Sequence, residues 1–211
     1  MPLSAAAIIT VSDAKAFLKE SLTDNDADIE RRINGLSFVF EGYVGRKIKQ
    51  QTLTDYRVDG TNKTHLLLPF VPLQSLTKID IHYSIDDTVY KTITDSSKWT
   101  LKDKYLGLVQ LKEDVFIAGS RNVLLTMSVG YLATDLEFSQ YQTLLLTQLQ
   151  FDYRKWDRNE IGVTSRSLQD GAIGFVPSTA LLREVRDGLD LLVDRRFSGH
   201  SAHSDVNFRF N

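Results

Sequence analysis

The feature that most constrains this chain is residues 134–158, TDLEFSQYQTLLLTQLQFDYRKWDR, which hold no Gly, Pro or Cys. Leu, Gln, Glu, Lys and Arg lose little rotamer freedom in a helix, and they fill much of the stretch. Phe138, Tyr141, Leu145, Leu149 and Trp156 recur at spacings of three, four and seven, the period of one helical face. Leu144, Leu146 and Tyr153 widen that face, so more than one neighbour must cover it. Thr134 and Asp135 offer side-chain oxygens to the free amides of the first turn, with Glu137 close behind. Arg154, Lys155 and Arg158 suit the negative end of the helix dipole. The expectation is a central helix with two N-terminal helices and one C-terminal helix packed around it.

The flanking patterns supply those partners. Residues 4–9 read as an extended arm whose small apolar side chains pack on a neighbour. Thr10, Val11, Ser12 and Asp13 open a short helix with Ala14, Phe17, Leu18 and Leu22 on its apolar side, ending near Ser21. Asp24, followed by Asp26, Asp28 and Glu30, opens a second helix whose inner face is Ile29, Ile33, Leu36, Phe40 and Val44, stopped at Gly45 or just after. Pro177 and Ser178 precede a last helix with the stripe Leu181, Leu182, Val185, Leu189, Leu192 and Val193, closed by Asp194, Arg195, Arg196 and Phe197.

Residues 52–130 have a different texture. Val58, Asp59, Gly60, Thr61 and Asn62 read as a turn, and Pro69 and Pro72 break the run after it. Leu76, Ile79, Ile81 and Tyr83 are β-type, with Lys78, Asp80 and His82 alternating against the last three. Ile85, Asp86, Asp87 and Thr88 suit a hairpin turn. Residues 99–101, 106–111 and 123–131 are further strands. About six short strands make a small antiparallel sandwich or barrel. The fold class is therefore α+β: a bundle of about four helices with an inserted antiparallel β domain. Its parts are residues 1–50 (arm and two helices), 51–132 (β insertion), 133–197 (central helix, loop 159–178 and last helix) and 198–211 (tail).

Composition removes several functions. A net charge of −2 predicts no affinity for nucleic acid or anionic membrane. With no cysteine, disulfides, thiolate catalysis and zinc–sulfur sites are excluded, and an intracellular protein is the default. The opening MPLSAAAIIT lacks a basic leader and is too short to span a bilayer, so a soluble protein is expected.

Local motifs fail in the same way. Gly60 to Lys63 lacks the Gly before Lys, and the following helix, of a phosphate loop. Asp24, Asp26 and Asp28 begin like a calcium loop, but its sixth and twelfth positions are Ile29 and Gly35. His65 and His82 read as sheet-surface residues, while His200 and His203 lie in a Gly/Ser tail with no third ligand. No GxSxG occurs, and Ser165 and Ser167 sit in a loop. Tyr153 and Trp156 pack inward while Arg154 and Lys155 point away, which is core packing and not base stacking. No catalytic, cofactor or metal residue is assigned.

The order of parts carries a resemblance. Residues 9–18 (ITVSDAKAFL), residues 24–47 ending in Tyr43-Val44-Gly45-Arg46, the segment 68–79 (LPFVPLQSLTKI), Val129-Gly130-Tyr131, the long helix with Tyr153-Arg154, and Arg195-Arg196-Phe197 follow one another at set intervals. In this the chain resembles the head-tail connector, or head-completion adaptor, family of tailed bacteriophages, over about residues 8–197. It departs in a β insertion longer than that of the minimal all-helical adaptors and in an extended loop 159–178.

The resemblance implies a structural virion protein at the head-tail junction, assembled in the host cytoplasm, and no enzyme. Copies would form a ring, usually of twelve, beneath the portal vertex, extending the DNA channel toward the tail or next head-completion protein. The partners are then itself, the portal and that next protein, with no membrane and no cofactor. DNA would pass without sequence-specific binding, and a near-neutral chain suits a channel that must not grip phosphates. Two site assignments follow. The tail 198–211 adds a strand to the portal through Val206, Phe208 and Phe210, which alternate after a Gly/Ser lead. Ser165, Arg166, Ser167 and Asp170, in the loop 159–178, face the lumen or the neighbouring subunit. Two other classes share the outline: a tail-completion or similar virion component, and a soluble α+β hydrolase or ligand-binding domain.

Overall fold

The computed structural model describes residues 2–20, 23–84, 88–157, 165–168, 171–174 and 181–198. Helices α1 (Val11–Leu18), α2 (Asp26–Val44), α3 (Leu136–Asp157) and α4 (Arg183–Ser198) pack on one another around a shared core. Its fully buried side chains include Ile29, Ile33 and Phe40 of α2, Tyr141, Leu145 and Leu149 of α3, and Val185 and Leu189 of α4. The stripes of α2, α3 and α4 thus lie inward as their spacing requires, while the side chains of Leu22 and Trp156 lie outside the described residues.

The helix ends differ in detail from expectation. Thr10 and Asp13 form a reciprocal capping box at 3.1 Å each way, but α1 stops at Lys19 in the left-handed region, before Ser21. Phe17 consequently stays 41% exposed. The cap of α2 is Asn25, one residue after Asp24, with Asp26 and Asp28 in the first turn. Residues 4–9 are not an extended arm. A turn at Ser4 folds Ala7, Ile8 and Ile9 into the helical core of their own chain, where each is at most 2% exposed. Ser37 Oγ, Asn34 Oδ1 and Gln142 satisfy the backbone of that segment, so burial leaves these polar groups paired. Lys155 also departs from expectation. It is buried, with its ammonium 4.5 Å from the centre of the Phe151 ring, because the apolar stem packs inward while the charge meets the ring face.

Gln148 on α3 joins α3 to the start of α4. Only 2% exposed, it accepts a hydrogen bond from the Leu182 backbone N–H (2.9 Å) and donates to Asp152 Oδ1 (3.1 Å). Burial raises the Asp152 carboxyl above its ordinary range, against the lowering effect of the Gln148 bond. A raised folded-state pKa means that the ionised form carries a cost at neutral pH, relieved as pH falls through the titration. Asp152→Asn keeps an oxygen for Gln148 and is expected to raise the melting temperature at pH 7. The gain should vanish near pH 3, where the wild-type carboxyl is itself protonated. Thermal melts at both pH values decide it, and an equal gain at both would contradict the burial account.

The β insertion is two antiparallel sheets sharing a second core. Strands β1 (Gln51–Gly60), β7 (Gly119–Val129), β3 (Leu73–His82) and β4 (Val89–Ile93) form one, in the order β1-β7-β3-β4. Strands β2 (His65–Leu67), β6 (Leu108–Leu111) and β5 (Trp99–Asp103) form the other, in the order β2-β6-β5. Val123, Leu125, Met127 and Val129 alternate inward along β7, the period-two pattern that marked this strand. Along β3 the buried residues Leu73, Leu76 and Ile79 are spaced by three. Two bulges, at Leu73/Ser75 and Leu76/Lys78, each add a residue and return the apolar side chain to the same face.

Among the described residues the sheets do not close into a barrel, since β1 and β4 remain edges. Residues 58–60 belong to β1, and the turn falls after them, with Asn62 at φ +56°. The hairpin turn read at residues 85–88 falls largely outside the described residues, although β3 and β4 on either side do pair. His82 is 8% exposed and not a surface residue; β3 is an inner strand flanked by β7 and β4. Beside it, Asp80 is buried with Lys78 Nζ at 2.6 Å and the Thr92 hydroxyl donating to it at 2.6 Å. The loop 159–178 is also not wholly irregular: β8 (Ser165–Leu168) and β9 (Gly171–Gly174) pair as a hairpin within it.

Candidate functional site

The phrases at residues 43–46 and 129–131 converge on one joint. Gly45 ends α2 at φ +64°, its N–H donating to Glu41 O at 2.9 Å, and this reversal turns Arg46 inward. Arg46 is 5% exposed. Its Nη1 donates to the Tyr131 hydroxyl (3.0 Å), and its Nη2 donates to the carbonyls of Leu192 (2.7 Å) and Val193 (3.4 Å) on α4. One turn earlier, the Tyr43 hydroxyl donates to Asp190 Oδ1 at 2.7 Å, and this bond raises the Tyr43 pKa above its ordinary value. Tyr43 and Arg46 thus fasten the end of α2 to α4.

The chain returns from the sheets through Gly130 at φ +97°, whose N–H donates to Pro72 O at 2.9 Å. A Cβ there would stand 2.5 Å from Lys49 O, so the two segments pass nearly backbone to backbone. Tyr131 N donates to Ile48 O (2.8 Å) and Gln50 N donates to Tyr131 O (3.1 Å). Glu41 braces the same crossing, with Lys47 Nζ at 2.9 Å, Ile48 N at 3.2 Å and Gln51 Nε2 at 3.1 Å. The Tyr131 ring lies 5.7 Å from that of Tyr141 on α3. The two segments joining bundle and sheets are therefore held to each other and to three helices. Arg46 donates to neutral oxygens, one phenol and two main-chain carbonyls, so the arrangement fastens elements together.

Two surfaces stand out beside the joint. An apolar groove of about 410 Å³ runs between α3 and α4, lined by Leu136, Ser139, Thr143, Leu144, Gly188 and Leu191 among others. Thr143 donates its hydroxyl to Ser139 O at 2.9 Å, which satisfies it within α3. Leu136 and Leu191 are 68% and 70% exposed at the groove. On α2, Phe38 is 78% exposed on the face away from the core. The inward stripe of α2 excluded Phe38 by its spacing. The signal available in the sequence was a large apolar residue set between two mid-helix glycines, Gly35 and Gly42.

Of the residues singled out for assembly, Ser165, Arg166 and Ser167 lie in β8, in register with Gly174, Ile173 and Ala172 of β9. Asp170, Val206, Phe208 and Phe210 lie outside the described residues. Among the described residues no three His, Asp or Glu side chains group to hold a metal ion, and no helix is long and apolar enough to cross a membrane.

A family model described as head completion protein matches residues 7–190. A search of curated proteins finds no match. Among solved structures, the chain is similar to one from the neck of an empty GTA particle computed with C6 symmetry, at 14% identity and a TM-score of 0.52, covering 93% of this chain and 92% of the other. Chains from the neck of a native GTA particle computed with C12 symmetry (12% identity, TM-score 0.49, covering 93% and 92%) and from the virion of a native gene transfer agent particle (13%, 0.48, covering 92% and 92%) also match. At 14% identity the likeness to the first of these is one of fold.

Proposed function

The chain belongs to the head completion protein family, and from that membership we propose that its copies form a ring beneath the portal, lining the DNA channel and presenting a platform for the next neck or tail protein. Its place is the head-tail junction of a phage-type virion, as a structural connector. The observation that carries the reading is the span of the family match, residues 7–190, which takes in the bundle, the joint and both sheets. The role is mechanical and not catalytic. Supporting it, the joint at Arg46 and Tyr131 holds bundle and sheets in one orientation, which a subunit repeated around an axis needs. A net charge of −2 gives DNA phosphates little to hold.

Native mass spectrometry with negative-stain imaging tests the ring, first alone and then mixed with the portal protein. Closed rings with a central channel are expected, and their mass gives the copy number. A chain that stays monomeric in both conditions would overturn the reading. Within it, the tail 198–211 docks on the portal through Val206, Phe208 and Phe210, and the hairpin carrying Ser165, Arg166 and Ser167, with Asp170, faces the lumen or the next subunit. Deleting residues 198–211 should abolish portal binding without changing the thermal melt. Shortening the loop 159–178 should impair assembly, and unchanged rings would remove its role.

A further inference from the structure

Three large apolar side chains are more exposed than any other among the described residues: Phe38 (78%), Leu191 (70%) and Leu136 (68%). They fall on two patches only. Leu191 and Leu136 border the α3–α4 groove, and Phe38 stands on the outer face of α2. That outer face reads Ala27, Arg31, Gly35, Phe38 and Gly42, all exposed, with a single charge. A helix face that met only water would carry more. Gly35 and Gly42 have no atom within 4 Å of where a Cβ would stand, so packing within the chain does not require them. Glycine is among the poorest residues for a helix interior.

Gly188 and Leu191 line the groove on its α4 side, and Glu184 precedes them by one turn, so the three are spaced by four and three, as Arg31, Gly35 and Phe38 are on α2. Laid parallel, the two stripes set Arg31 against Glu184, Gly35 against the Leu144 side chain that covers Gly188, and Phe38 against Leu191 at the groove. Arg31 pairs with Asp28 of its own helix at 3.0 Å but keeps a side chain 72% exposed, and Glu184 is exposed, so both charges can be reached. The patches lie on opposite flanks. Asp190 and Val193 of α4 meet α2 of their own chain, whereas Gly188 and Leu191 are on the other side of α4.

We propose that the outer face of α2, centred on Phe38, seats in the α3–α4 groove of a second copy of this chain, and that this heterologous contact is the one repeated around the ring. The inference rests on the ring reading above. One patch complements a different patch, which generates closed rings and not isolated twofold dimers. Gly35 lets α2 come close to the groove where Leu144 covers Gly188, the charges of Arg31 and Glu184 set the register, and Phe38 fills apolar space that the described residues of the single chain leave open.

The chain has no cysteine, so the contact can be trapped cleanly. Full-length Phe38→Cys and Leu191→Cys variants are oxidised, or joined by a short thiol-to-thiol linker, under conditions that give rings. Mixing the two single variants should give covalent dimers and nothing larger. The double variant should give a reducible ladder up to the ring. Rings on the grid without a covalent product would overturn this interface and leave the ring reading standing. Neither rings nor product, with the portal protein present, would overturn both, and dimers from Phe38→Cys alone would replace the contact with a symmetric one. A second variant guards against a simple folding defect. Gly35→Leu should raise the melting temperature of the monomer by a few degrees yet abolish rings. Rings that persist in it would refute close approach at α2.

Discussion

Replacing Arg46 with alanine is expected to cost about 3–5 kcal/mol of folding stability, the largest effect of any single truncation at the joint. The guanidinium is permanently charged and 5% exposed, and its two shorter hydrogen bonds reach the Tyr131 hydroxyl and Leu192 O at 3.0 and 2.7 Å. Hydrogen bonds to a charged group contribute about 1.5–3 kcal/mol each, and both acceptors lose their donor when the side chain goes. For a chain of this size that lowers the melting temperature by the order of 10 °C. Lysine should restore only part of the loss, since a single ammonium does not reproduce the fork that reaches Tyr131 and α4 together. Tyr131→Phe removes one acceptor and should cost about 1–3 kcal/mol. The double variant should cost less than the sum, because the two share one bond. Urea denaturation of the four variants measures this; a loss below about 1 kcal/mol for Arg46→Ala would contradict the buried joint.

Gly130→Ala is the second large effect. At φ +97° an L side chain is strained by about 1–2 kcal/mol before any contact is considered. The new Cβ would also stand 2.5 Å from Lys49 O and 2.9 Å from Gln50 N, both backbone atoms. Relief requires the two crossing segments to part, which strains the bonds between Tyr131 and residues 48 and 50. About 3 kcal/mol or more is expected. Gly45→Ala is the control. Gly45 has φ +64° but nothing within 4 Å of the Cβ position, so the backbone term stands alone, at about 1 kcal/mol. Equal losses at the two positions would show that close approach at Lys49 is not what Gly130 provides.

Much of this architecture was legible because it depends on local period. The inward stripes of α2, α3 and α4 follow from apolar spacing, since a 3.6-residue repeat places those side chains on one face whatever lies opposite. Strands β3, β5, β6 and β7 of the insertion were legible from β-type composition and alternation, whereas β1, β2 and β4 were not and residues 58–60 of β1 read as a turn. The reading that residues 43–46 and 129–131 matter came from their order along the chain. Their meeting was not legible. Arg46 and Tyr131 are 85 residues apart, and no local rule says that one donates to the other.

The misreadings share a cause. Ala7, Ile8 and Ile9 are too few to show a period, so only the cavity between helices decides that they fold inward. Phe17 and Lys155 follow from a cap and an aromatic ring that spacing does not weigh. His82 alternates like a surface residue, but β3 turned out to be an inner strand, and strand order depends on pairings far apart in sequence.

The sequence by itself determined the four helices, the inward faces of α2, α3 and α4, and the α+β class, because these depend on neighbours within a few residues. Tertiary structure alone decided the joint at Arg46 and Gly130, the division of the strands between two sheets, and the flanks that carry Phe38 and the α3–α4 groove. Those depend on which distant segments come within a few ångströms. A face left uncovered is defined only once every other face has found its partner.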